Sequence, residues 1–443
     1  MKIQISDHFN YNKLLKFTIP SIITMMFYQT YNVLDDGFFI SNFVGKDAFV
    51  ALNLMSPALM MMNTIGYMLA TGGNALVSTV LGEGKKEKAN QYFTLITIYT
   101  IIISAIITVF GLVILKPACI AVGAEGAVLE NCLIYGRLIC PFTIVFQLQE
   151  VFQNFLITAG KPKMSLFVTV LSGISNITFD ILLIVIFKLG IVGSVLATIS
   201  GPILGTIIPA LYFLFGEDRT IKFSKTSLDF SVLLRACSNG TSELVTDLSL
   251  GLMSMLYNYQ LLRIGGNDAV AAYGAVMYIV YIFESAFIGY SMGVAPIVGF
   301  NYGAEDEKEL KNIFHKSLVI VSITGIILFA ISELASVPFS KIFVGSDEKV
   351  LEMAIHGNRM YSITYIFAGI NIFATSFFTA LNNGFVSSAL ALIRTIVFKV
   401  GALFLLPLFF GLDGIWASAF VADILMLIVT IAVFYKFKAR YNY

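Results

Sequence analysis

Twelve stretches of mainly apolar residues, each long enough to cross about 30 Å of hydrocarbon as a helix, run through the 443-residue chain with only short polar segments between them. They cover residues 17–43, 48–81, 92–115, 132–157, 164–187, 191–215, 232–262, 269–300, 317–340, 350–378, 387–409 and 415–436. Inside lipid the backbone must satisfy its own hydrogen bonds, so stretches of this length can only be helices. Charged residues make up 12% of the chain, against about 25% in soluble domains. The fold class is therefore an all-α polytopic membrane protein. Several stretches exceed one bilayer thickness, and Pro20, Pro57, Pro141, Pro202 and Pro296 are the expected kink sites. The first stretch follows the polar segment MKIQISDHFNYNKLLK without a small-residue cleavage site, so it reads as a retained span.

Net charge of +1 without a basic face argues against a nucleic-acid partner. Cys119, Cys132, Cys140 and Cys237 show no metal-ligand spacing and read as buried small hydrophobes. Orientation follows from the cations. One alternating set of connecting segments holds eighteen Lys and Arg, the other only six, so both termini are expected in the cytoplasm of a multi-pass cell-membrane protein.

The chain also repeats itself. GKDAFVA at Gly45 returns as GNDAVAA at Gly266, and at the same offset of 221 Gly72 meets Gly293, Gly82 meets Gly303 and Gly190 meets Gly411. Two parallel six-helix repeats follow, related by a pseudo-twofold axis along the membrane normal and enclosing a central cleft. Residues 1–215 form the first lobe, 216–231 a cytoplasmic linker and 232–443 the second lobe.

Acids inside the spans stand out because a carboxylate at membrane depth costs roughly 2.5 to 3.5 kcal/mol or more. Asp36 lies nine residues before the turn at Gly45, and Asp180 lies eight before Lys188, so both are expected in the outer half at similar height. Asn176 sits one turn before Asp180, and Gln29 two turns before Asp36, so their amides can converge on the acids. At the offset of 221 the two acids meet Tyr257 and Gly401, so the fold itself does not demand carboxylates there. Asp35 can simply reach the interface. Burial and like-charge proximity make carboxylates exchange protons more readily, and the same oxygens suit Na+. In the second half Glu243, Asp247 and Glu284 are a possible cation or substrate site, or else join Arg394 and Lys399 in structural ion pairs. Methionines from Met25 to Met68 can form an adaptable cavity wall or face lipid.

DDGFFI before FVGKDAFVAL, LITAGKPK, NITFDILLI and GIVGSVLAT, on twelve helices in two halves, resemble the multidrug and toxic compound extrusion (MATE) family, and within it the DinF-like branch. The resemblance covers nearly the whole chain. It implies a monomeric antiporter that exports amphipathic, often cationic, small molecules through the lipid bilayer by alternating access in exchange for H+ or Na+, with no other cofactor. On motif matches it makes Asp36, Asn176 and Asp180 the coupling-ion site, with Gln29, Tyr135, Asn154 and Thr198 as neighbours. CSNGTSELVTD departs from the family's Gly-x-Pro near the seventh helix, and Asp247 falls where the NorM-like branch places a cation-binding acid.

Other classes fit less well. No HExxH, GxGD or P-loop pattern occurs, so neither an enzyme nor a primary pump is expected. A lipid-linked oligosaccharide or lipid flippase shares the architecture but would favour a cationic cavity. Reporter fusions placed after Lys46, Lys116 and Lys188 should all report the outside; a cytoplasmic signal from any of them overturns this topology.

Overall fold

The computed structural model describes residues 3–217, 219–344 and 347–443, with the backbone alone at positions 32–38, 41 and 343. The described residues form helices and turns and no strands. The first half contains α1 (Tyr11–Phe39), α2 (Lys46–Gly82), α3 (Lys86–Ala121), α4 (Gly126–Thr158), α5 (Pro162–Ile186) and α6 (Gly190–Phe215). The second half contains α7 (230–265), α8 (267–303), α9 (Glu307–Leu334), α10 (348–380), α11 (Gly384–Leu405) and α12 (Pro407–Tyr441).

α7 and α8 form a continuous helical stretch of 74 residues broken only at Gly266, whose φ of 70° few other residues would adopt. At about 1.5 Å per residue such a stretch would be more than three bilayers long. It is a hairpin instead. Ala236, near its start, and Phe300, near its end, both lie against the same half of α2, at Gly72 and Gly82. The duplication is visible in the backbone: Gly45, equivalent to Gly266, has φ of 128°, and Gly190 and Gly411 have φ of 60° and 56°. α4 is interrupted by a 3₁₀ turn at Cys140–Phe142, and α10 bends by 49° at the equivalent place.

Hydropathy marked the bilayer rather than the helix ends. The ninth span, expected at 317–340, begins at Glu307 because the Asp306 carboxylate accepts from the Glu309 N–H at 3.0 Å and starts the helix outside the apolar run. It stops at Leu334, and a separate short helix, Ser336–Val344, follows. Of the expected kinks only Pro141 coincides with a break; the helices run on through Pro20, Pro57, Pro202 and Pro296.

The two halves meet at the end of the bundle that carries both termini. A Cβ on Gly82 would lie 1.9 Å from the Phe300 carbonyl oxygen, and one on Gly303 would lie 1.9 Å from that of Thr79. Phe300 and Thr79 are themselves 221 apart, so the α2–α8 crossing obeys the pseudo-twofold. Gly72 and Gly240 repeat the close approach between α2 and α7. A strap reinforces this face. Glu309 Oε1 accepts from the Phe9 N–H at 2.8 Å, Glu309 Oε2 lies 2.5 Å from His8 Nδ1, and Asn312 and Lys316 both donate to the Phe9 carbonyl. The segment between the halves packs on α3, where Asn90 and Thr94 accept from the backbone of Lys222 and Ser224. Midway along α2, Met60 and Met61 are 65% and 57% exposed.

Gly82→Ala or Gly303→Ala should therefore part this face, at a cost of roughly 1–3 kcal/mol for an overpacked contact. Thiol labelling of a reporter cysteine introduced by Thr79→Cys should accelerate in either variant; an unchanged rate refutes the crossing.

Candidate functional site

Two polar regions deserve separation. One lies within the first half. α1 and α5 run parallel, and a Cβ on Gly173 of α5 would lie 2.7 Å from the Phe27 ring and 3.4 Å from that of Tyr31. Seven residues beyond Gly173 stands Asp180, and seven beyond Gln29, midway between Phe27 and Tyr31, stands position 36. Both are about 10 Å further along the same direction, so the helical register brings them to one level. The side chain of Asp36 lies outside the described residues, as does that of Asp35.

Asp180 is fully buried and Asn176 nearly so, and Asn176 Oδ1 meets no hydrogen-bond donor among the described residues. Directly after Asp180 the α5 backbone widens into a π turn, Ile181–Ile186, and α1 ends in another, Ile40–Val44. Single π turns inside helices commonly accompany functional positions. Thr198 of α6 belongs to this level, since Gly201, three residues on, lies against Ser172 of α5, and its hydroxyl donates to the Ser194 carbonyl at 2.9 Å. Tyr135 of α4 is buried in the same region, in an apolar cluster with Ile40, Ile191 and Val195. Gln29 is half-buried, two turns nearer the termini than Asp180.

Asn154 does not join them. Gln149 of α4 lies level with Gly205 of α6, so Asn154 sits five residues further toward the termini, roughly 25 Å from Asp180 along the bundle. It donates to the Glu150 carbonyl at 3.0 Å beside the Thr158–Asn74 pair.

The second region spans both halves. Here α2 is the bridge. Thr64 donates to Asp247 Oδ2 of α7 at 3.0 Å, while on the other side the Gln147 amide of α4 donates to the Met62 carbonyl at 2.7 Å. Tyr67, one turn along α2, feels the charges of Glu243, Asp247 and Glu150, and Tyr28 of α1 stands near it. Glu150 and Glu243 each interact with Asp247. All three carboxylates are half-buried, and among the described residues none is in an ion pair. Sequence reasoning did not place Glu150 in a site. Nothing local could have done so, because Asp247 comes from a helix far away in sequence.

Glu284 stands elsewhere, among Tyr257, Tyr273, Tyr361 and Tyr365 within the second half. Among the described residues Glu243, Asp247 and Glu284 join no ion pair; Arg394 pairs instead with Asp423, with contacts of 2.7 and 3.3 Å, and Asn371 also donates to the Asp423 carboxylate. That group is neutralised and braces α10, α11 and α12. The Glu150–Glu243–Asp247 group is not. Three acids at the junction of two halves, with Tyr67 near them, are a grouping whose chemistry can attract a cation.

The chain is similar to the multidrug export protein MepA of Staphylococcus saprophyticus, with 23% identity over 436 residues covering 96% of this chain and 94% of that protein. In structure it is similar to a MATE transporter in complex with MaL6, with TM-score 0.93 and 19% identity over 98% of each chain. An outward-facing multidrug resistance MATE family transporter of the MOP superfamily gives TM-score 0.92 at 19% identity, covering 98% of this chain and 97% of that one. The sequence profile of the MatE family matches twice, at residues 20–182 and 244–405, once in each half of the duplication. The protein is a multi-pass membrane protein that belongs to the MatE family of transporters.

Proposed function

We propose that the protein is a multidrug efflux antiporter that carries amphipathic, often cationic, compounds out of the cell in exchange for H+ or Na+. The observation that carries this reading is the acid group Glu150, Glu243 and Asp247, drawn from both halves and in no ion pair among the described residues. A lipophilic cation entering between the lobes gains the attraction of all three and the face of Tyr67. Methionines 25 and 26 of α1 and 60 to 62 of α2 give the entrance a soft wall that adapts to different shapes. Exporters of this kind among the similar proteins, such as the staphylococcal multidrug export protein, support the same class. A flippase for anionic lipid-linked sugars would meet repulsion in such a cleft, so that alternative is not favoured.

Coupling falls to Asp180 and Asn176 with Asp36, inside the first half and at a different level from the acid trap. Coupling requires that ion and drug favour different states. The cation-rich end of the bundle, where both termini lie, faces the cytoplasm on this reading. The glycine crossing and the His8–Glu309 strap then close the cytoplasmic face, and the state is outward-open. Loading of the coupling ion rearranges α1 against α5, the crossing parts, and the cleft opens inward. Reciprocity demands that bound drug lower affinity for the ion by the same factor.

Proteoliposomes with an imposed proton or sodium gradient, and tetraphenylphosphonium as the probe, test both assignments. Wild-type protein should move the probe against one gradient. Asp180→Asn should abolish driven transport while retaining probe binding, and Glu150→Gln or Asp247→Asn should weaken binding about tenfold to a hundredfold, the worth of one charged contact. Protonation removes the charge that attracts the probe, so binding should weaken as the medium is acidified. Driven transport that survives Asp180→Asn overturns the coupling site, and binding indifferent to both cleft variants overturns the trap.

A further inference from the structure

At the end of the second lobe opposite the termini, a cavity of about 340 Å³ opens between the last turn of α7 and the α11–α12 turn, lined by Gln260, Arg263, Ile264, Phe404, Leu408 and Gly411 among others. Two of its residues are arranged for a ligand. Gln260 is 2% exposed, and its Nε2 donates to the Leu403 carbonyl at 3.2 Å. That carbonyl would ordinarily accept from the residue four further on, but Pro407 has no N–H to give. The amide nitrogen is thus committed to the backbone, and Gln260 Oε1 is left buried without a donor among the described residues. Arg263, one turn further along α7, is exposed at the rim and takes part in no ion pair among the described residues. Ile264, Phe404 and Leu408 continue outward from the cavity as an apolar surface, 39%, 37% and 71% exposed.

The duplication provides a control. At the offset of 221 the first half places Phe39, Asn42 and Phe43 where the second has Gln260, Arg263 and Ile264, with the two phenylalanine rings 6.3 Å apart. A guanidinium beside a committed glutamine is therefore no requirement of the fold. An arginine that merely reached for the interface would not account for the glutamine acceptor beside it.

We propose that this cavity binds the headgroup of a glycerophospholipid that carries a hydrogen-bond donor next to its phosphate, either an ammonium or a hydroxyl. The phosphodiester oxygens take the Arg263 guanidinium, the headgroup donor satisfies Gln260 Oε1, and an acyl chain lies along Ile264, Phe404 and Leu408. A trimethylammonium headgroup has no such donor and fits only half of the site. This assignment is independent of the transport reading, since none of these residues belongs to the acid trap or to the Asp180 region.

Purified protein incubated with an equimolar mixture of phosphatidylethanolamine, phosphatidylglycerol and phosphatidylcholine of the same acyl chains, then examined by native mass spectrometry, tests it. Phosphatidylethanolamine or phosphatidylglycerol should be retained about tenfold over phosphatidylcholine, as expected for one buried hydrogen bond made or missed. Arg263→Gln, at an exposed position that does not threaten folding, should lose the retained lipid. Gln260→Met should keep lipid but lose the preference. Equal retention of phosphatidylcholine, or retention unchanged in Arg263→Gln, overturns the proposal. So does displacement of the lipid by glycerol phosphate alone, which would mean a small-anion site.

Discussion

The contact on which the arrangement depends is the crossing of α2 and α8 at Gly82 and Gly303. Each glycine admits the backbone carbonyl of the facing helix at a distance no side chain could tolerate. In a bilayer, where lipid tails are as apolar as any side chain, helices gain little from hydrophobic burial alone and associate by close packing of small residues. The crossing is tight because backbone meets backbone, and Asn382 adds a side-chain link across the halves by donating to Thr79 Oγ1 at 2.6 Å. It holds one face of the bundle together, and the two copies of the repeat present it symmetrically.

Charge is distributed on a different plan. Where an acid serves the frame, as Asp423 does, it is fully buried, engaged by Arg394 through two contacts and completed by Asn371, whose side-chain oxygen accepts in turn from Thr430. Breaking such a pair would strand a buried charge at a cost of about 3–5 kcal/mol. Where acids stand between the halves, as Glu150, Glu243 and Asp247 do, they are half-buried and share one hydrogen bond from Thr64. The contrast separates two uses of the same residue type: one carboxylate is spent on holding helices together, the others are held apart from any counter-charge.

Much of this was legible in the sequence, and the reasons are physical. Apolar length fixes the number of crossings, and a constant offset between glycines reveals the duplication, because glycines mark turns and close approaches that the fold cannot change. Helix ends were less legible: Glu307 begins its helix well outside the apolar run because Asp306 caps it. Asp180 and Asn176 were found because they share a helix and a face. Glu150 was passed over because its neighbours Asp247 and Tyr67 come from helices far away in sequence, and Asn154, expected beside Asp180, lies well toward the termini because spacing along one helix does not fix the level at which another packs.

The apolar interior is also divided. One cluster runs through both lobes and includes the strap residue Phe9 and the glycine-crossing helices, whereas the outer half of the first lobe, around Ile40, Met55, Leu115, Tyr135 and Val195, forms a second cluster of its own. At the same end of the second lobe Lys349 pairs with Asp268 at 2.6 Å and His356 with Asp413 at 2.8 Å, and no such pair occurs there in the first lobe among the described residues. Cooperative units defined by packing open with their own free energies. Amide hydrogen exchange is therefore expected to show two regimes: the outer part of α1, α2, α3, α4 and α6 should exchange by its own local opening, and the remainder should stay protected until the whole bundle loosens.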